Sequence, residues 1–293
     1  DSTGVSASDF DIGRFGGSYF DGKLDDIRFY SRVLSAAETA TLATQGKMRL
    51  SQTDIGGPTD GLVGHWSFDG PQIDWSNSTG EVRESGGTHH GDAVNLSTTA
   101  VVPGKMGQAL SFNGSDQNVT IAESSAFEPT GDFSFAMWVY LDELASVRGQ
   151  HNRLVQKIHS ASPWYSYHIF QSADDDLLRF AYIDSTSDGD YAVSSTPLKA
   201  GQWHHIAVVK TGNEARLFVD GNYGVAWGSA LDGTLFDSDG ELRFGGGGTN
   251  MLDGNMDDIR FYDRALSDAE VTQLYTQGKM RLSQTDIGGP TDG

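Results

Sequence analysis

The stretch "GKMRLSQTDIGGPTDG" occurs twice in this chain, letter for letter, from Gly46 to Gly61 and again from Gly278 to Gly293. At the same spacing of 232 residues, "DGKLDDIRFYSRVLSAAETATLATQ" from Asp21 lies on "DGNMDDIRFYDRALSDAEVTQLYTQ" from Asp253, with nine substitutions. Further back, "GRFGG" from Gly13 aligns with "LRFGG" from Leu242 after a shift of three residues. A repeat of this length exceeds the roughly 20 to 50 residues of solenoid or propeller units. It is the spacing of whole domains in tandem. Residues 1–50 therefore read as the C-terminal fragment of a preceding repeat, 51–61 as a linker, 62–282 as a complete domain and 283–293 as the start of the next linker.

Composition narrows the class of domain. With 293 residues and 37% apolar content the chain has enough material for one or two cores. The absence of cysteine removes disulfides and thiolate metal sites together. Asp and Glu outnumber Lys and Arg by 40 to 20, a formal charge of −20 that repels nucleic acid and anionic membrane surfaces. No apolar run reaches the roughly 18 residues of a membrane span. The opening residues do not read as a signal peptide, so any targeting segment would lie outside this stretch. Many acids sit beside Gly, Asn or Ser in turns, the raw material of calcium sites, with a solvated acidic surface as the competing reading.

From Gly61 onward, short runs of alternating polarity are separated by Gly, Asn and Asp: "GLVGHWSFD", "QALSFNG", "FSFAMWVYL", "RLVQKI", "LLRFAYI", "HHIAVVKT" and "EARLFVDG". Asp220-Gly221 is a hairpin turn signal. A helix is expected over "LSDAEVTQLY", where Ser267 and Glu270 have capping-box spacing, and the same box recurs at Ser35 and Glu38. The expectation is an antiparallel β protein with one short C-terminal helix per unit.

Four stretches, "GLVGHWSFDG", "FSFAMWVYL", "GQWHHIAVVKTGNEARLFVDGN" and "GNMDDIRFYDRALSDAEVTQLY", resemble in content and order the laminin-G-like, concanavalin A-like lectin/glucanase jelly-roll domains, related to pentraxins and found in tandem repeats of bacterial surface proteins. The resemblance implies two face-to-face antiparallel sheets, first and last strands side by side, a structural Ca2+ ion and an extracellular location. Hydrolases of this fold carry paired carboxylates on one strand face. No such strand is present, and the acids at Asp142, Asp174, Asp175, Asp176 and Asp184 read as loops, so no enzyme and no catalytic residue is expected.

For calcium, the resemblance and oxygen chemistry point to Asp69 and Asp74 after the first strand and to Asp257 or Asp258 entering the last one. Neighbouring strand residues face opposite ways, so one of the latter two is expected to be a ligand. The same alternation places one of His204 and His205 in the core and the other toward solvent. Trp66, Phe68, Trp138 and Trp203 are expected to be buried. Trp164, Tyr165, Tyr167 and Trp227 are candidate ligand-stacking aromatics, with core packing as the alternative for each. Two functions follow: a non-catalytic adhesion module recognising a glycan or protein, or a structural filament or spacer unit whose partners are neighbouring repeats or chains. Under the second, residues 1–50 dock on a domain or complete a sheet in another chain.

Overall fold

The structure, a computed structural model, describes residues 57–160, 165–184, 189–228 and 238–279, positions 231 and 235, and parts of 12–39; for 14, 15, 189, 190 and 225–228 it describes the backbone alone. The chain divides into one unit of Leu50–Arg281 and another of Asp1–Arg49 with Leu282–Gly293. In the second unit, the described residues include a two-residue hairpin of β1 (Arg14–Phe15) and β2 (Ser18–Tyr19).

The first unit is an antiparallel β-sandwich jelly roll. Its front sheet runs β16 (Val225–Gly228), β12 (Gly189–Pro197), β11 (Leu177–Ile183), β10 (Tyr165–Gln171), β9 (Asn152–Ile158), β17 (Leu242–Phe244), β7 (Asn118–Ile121) and β4 (Gly91–Val94). The back sheet runs β15 (Asn222–Tyr223), β14 (Glu214–Val219), β13 (Trp203–Thr211), β8 (Phe133–Leu141), β20 (Asp253–Tyr262), β6 (Gln108–Asn113) and β5 (Val101–Pro103), with β3 (Leu62–Trp66) also on β20. The first strand of the domain thus lies on the last, Trp66 opposite Ile259, and a short hairpin of β18 (Gly246–Gly247) and β19 (Asn250–Met251) precedes β20.

Strand alternation, with Phe127 from a 3-10 turn, fills the space between the sheets. Trp66, Phe127, Phe133, Phe135, Tyr167, Phe180, Phe244 and Phe261 turn inward, with ring centroids 4.6 Å apart for Phe135–Phe261 and 4.9 Å for Trp66–Phe244. Edge-to-face and tilted contacts of this kind add to burial.

A second, smaller core lies outside the back sheet. There α2 (Asp268–Gln277; α1 is Ala145–Arg148) lays Val271 and Leu274 on Ala136, Ala207, Val209, Phe218 and Tyr262. The helix starts where the capping box predicts, with Ser267 accepting from the Glu270 N–H and Glu270 accepting from the Ser267 N–H. Because α2 covers this face, both histidines of the pair are buried, His204 at 3% and His205 at 2% exposure, correcting the expectation that one meets solvent. The tail of the linker is already part of the domain: Pro58 O accepts from Tyr262 Oη and Asp60 O from Arg264 Nε. Among the described residues no helix is long and apolar enough to cross a membrane.

Candidate functional site

Two polar centres stand out, one on each sheet. The first is built by an irregularity of β20. Opposite β8 the register slips between Asp257 and Arg260, and Asp258 adopts φ 50°, the mark of a β-bulge. The bulge breaks the alternation: Asp257 registers against outward-facing Trp138, while Asp258 reaches His65 Nε2 at 2.6 Å and Arg260 at 3.0 Å. Both acids therefore serve the outer side of the back sheet, rather than opposite faces as strict alternation requires.

Of the four acids proposed for calcium, two are already neutralised. Burial opposes the charge of Asp258, yet Arg260 and His65 outweigh it and hold the carboxyl below its usual range. Asp74 lies in its own surface turn, bonded to Ser76 and Asn77 and paired with Arg83. The other two share one turn. Asp69 Oδ1 accepts from Gln108 N and Asp257 Oδ2 from Met106 N, each at 2.8 Å. Gly107 makes the approach possible: it has φ +69°, and a Cβ there would sit 1.9 Å from Asp69 Oδ1.

Asp257 is fully buried, and its Oδ1 has no partner. Burial, with repulsion from Asp258 and Asp69, pushes it up to about 8, and burial likewise raises Asp69. Among the described residues no three His, Asp or Glu are spaced to hold a metal ion. A four-acid cage is not formed. Of the four, Asp69 and Asp257 are the two that no basic side chain pairs, their carboxyl groups gathered at one turn.

The second centre covers the outer face of the front sheet, where the register assembles what the sequence scatters. Asp92, Thr120, Arg243, Gln156, His168, Ala181 and Tyr191 stand directly opposite one another across seven strands. Beside this row runs a second, Arg153–Phe170–Arg179–Val193. Register shifts at Tyr165/Tyr167 and Ile169/Phe170 in the β9–β10 ladder turn Tyr165 and Arg153 onto the same face. Tyr165 stacks on His168 at 4.1 Å and 22°, and Phe170 lies 4.5 Å from the same imidazole.

Among the described residues, six buried side-chain atoms have no hydrogen-bond partner, and three of them, Arg153 Nε, His168 Nδ1 and Arg179 Nε, belong to this face. His168 is 6% exposed; burial, then the charges of Arg153 and His151, hold it well below the ordinary histidine range, so it is neutral at pH 7. Such atoms are costly to leave unpaired, and a polar ligand could supply their partners.

The aromatics proposed from sequence divide. Tyr165 is half-buried on the front face. Tyr167 is a core residue with no exposure, its hydroxyl donating to Phe127 O, because the bulge between them reverses the phase of the strand. Trp227 is backbone-paired with Val193 in β16, its side chain lying outside the description, and Trp164 lies outside the described residues. Arg153, Gln156, His168 and Arg243 were missed. Gln156, His168 and Arg243 show only as polar residues within otherwise apolar strands, and Arg153, out of phase with Gln156, reaches this face through the register shift.

Residues 113–272, more than half of the chain, match the family described as the concanavalin A-like lectin/glucanases superfamily. The chain belongs to this superfamily. Solved structures with the same fold include the binding domain of Paraclostridial Mosquitocidal Protein 1 (14% identity, TM-score 0.57, covering 73% of this chain and 52% of that one). Domain 4 of AbnA, a GH43 extracellular arabinanase from Geobacillus stearothermophilus in complex with arabinotriose, is 18% identical (TM-score 0.55, 73% and 98%). Trypanosoma rangeli sialidase in complex with sialic acid is 17% identical (TM-score 0.55, 80% and 34%). The superfamily domain thus spans about half of the mosquitocidal binding-domain chain and a third of the sialidase. No curated protein matches the chain.

Proposed function

We propose that the domain is a non-catalytic, extracellular glycan-recognition module that takes its ligand on the outer face of the front sheet. The carrying observation is the three unpartnered polar atoms of Arg153, His168 and Arg179 on one face, beside the half-buried ring of Tyr165. Sugar hydroxyls donate and accept at once, so they satisfy a neutral imidazole and a guanidinium edge together. The acids considered for hydrolysis support a binding role: Asp142 and Asp174–Asp176 lie in turns, and Asp184 in an isolated bridge. The arabinotriose complex of the AbnA domain is in keeping with this reading. A calcium ion at Asp69 and Asp257 would supply the charge that Asp257 lacks and brace the turn at Gly107.

The alternative, a repeat unit engaged with neighbouring repeats, draws on the joint. Its two ends are packed tightly where they meet the domain. A Cβ on Gly278 would lie 2.3 Å from Trp138, and one on Gly57 2.3 Å from Arg260. Both glycines fall within the duplicated stretch.

A glycan array probed with the chain in calcium and in EDTA separates the readings. Neutral or acidic saccharide binding lost in Tyr165→Ala supports recognition on this face. Binding that survives that substitution moves the ligand elsewhere, and no binding in either buffer leaves the structural role.

A further inference from the structure

The three arginines of the front face differ in one respect. Arg179 is paired with Asp175 at 2.9 Å and Asp174 at 3.5 Å, and Arg243 Nε donates to Glu241 Oε1 at 2.9 Å. Arg153 has no carboxylate. Its Nη1 donates to Gln156 Oε1 at 3.1 Å and Gly247 O at 3.4 Å, which leaves the Nε–Nη2 edge without a protein acceptor. In a chain with twice as many acids as bases, a half-buried cation without an acid is an exception.

The surroundings do not dissipate that charge. Burial weakens the guanidinium's hold on its proton, though not enough to discharge it, and pushes the Tyr165 phenol up, so both groups keep their protons at neutral pH. His168, beside them, is neutral. The site therefore holds one guanidinium without a carboxylate partner, with two unpaired buried nitrogens, Arg153 Nε and His168 Nδ1, beside the ring of Tyr165. A hydroxyl satisfies one donor of the guanidinium edge and leaves the charge unmatched. A carboxylate matches the charge and takes both donors in the fork geometry that makes Arg–carboxylate pairs strong and directional.

Resting on the reading of this face as a glycan surface, we propose that the ligand is an acidic saccharide whose carboxylate is received by Arg153 Nε and Nη2, with the sugar ring against Tyr165 and a hydroxyl on His168 Nδ1. Asp174, Asp175 and Glu241 then act as counter-charges that keep Arg179 and Arg243 from competing for it.

The test uses the full chain and paired probes differing only in charge: trigalacturonate against its methyl ester, and sialyllactose against lactose, by titration calorimetry. The expected result is at least tenfold tighter binding of one acid than of its neutral partner, a preference abolished in Arg153→Gln and kept in Arg216→Gln, in β14 of the back sheet. Arg153→Lys, which holds the charge but loses the fork, gives an intermediate preference. The ester comparison needs no variant, so it stands even where a substitution impairs folding. Equal binding of acid and neutral partner, or an acid preference that persists in Arg153→Gln, overturns the carboxylate assignment and leaves the glycan surface intact. Absence of binding to any saccharide overturns both.

Discussion

The six letters "DDIRFY" occur at residues 25–30 and again at 257–262, and the two copies meet different fates. In the complete domain they belong to β20, and Ile259 and Phe261 have no exposed surface. In the N-terminal unit Ile27 is 53% and Phe29 84% exposed, and neither lies in a strand. The helical element behaves oppositely. The bond from Val271 N to Ser267 O at 3.0 Å that opens α2 has its counterpart from Thr39 N to Ser35 O, also at 3.0 Å. A helical turn closes within its own sequence, whereas a strand bonds only to residues far away in the chain. Among the described residues of the first copy, the local bond is kept while Ile27 and Phe29 carry no strand assignment.

The largest effect should separate the two phenylalanines. Phe261→Ala removes a ring from the centre of the aromatic core and should cost about 3 to 5 kcal/mol in urea unfolding, while Phe29→Ala should stay within about 0.5 kcal/mol. Comparable losses at both sites would show that the first copy is packed in solution. Next is the buried pair. Asp258→Asn leaves Arg260, which is 2% exposed, without its carboxylate and should cost about 3 kcal/mol. Urea unfolding reads the loss, and a change within about 0.5 kcal/mol would show that the pair carries no weight in the fold.

The smallest effect concerns the local element. Ser267→Ala should cost about 1 kcal/mol through the lost cap. Glu270, held down to about 2 chiefly by its hydrogen bond to Arg264, contributes stability that is present above its ordinary pKa of 4.5 and lost as pH falls through about 2. Glu270→Gln should flatten that acid limb in a pH series of thermal melts. An unchanged limb would remove the box from the account.

What could be read in advance follows the same division. Alternating strands, the capping box and the first-to-last strand pairing were all legible, because period, cap spacing and family motifs lie along the chain. The site was not. Bulges at Asp257–Asp258 and Tyr165–Tyr167 each add one residue to a ladder and reverse every face beyond it, a shift no alternation rule contains. The row from Asp92 to Tyr191 exists only through the register of seven strands. His205 is buried by a helix some sixty residues later in the chain, which a strand pattern cannot announce.

Strand β20 carries a consequence for synthesis. It bonds to β8 on one side and to β6 and β3 on the other, yet among the described residues it is the last strand to be made. A nascent chain therefore holds the two halves of its back sheet with facing open edges until residue 262 has left the ribosome, and closure then comes in a single late step. Slow, long-range closure of this kind exposes strand edges to neighbouring chains. The domain is therefore at its most vulnerable just before that strand arrives.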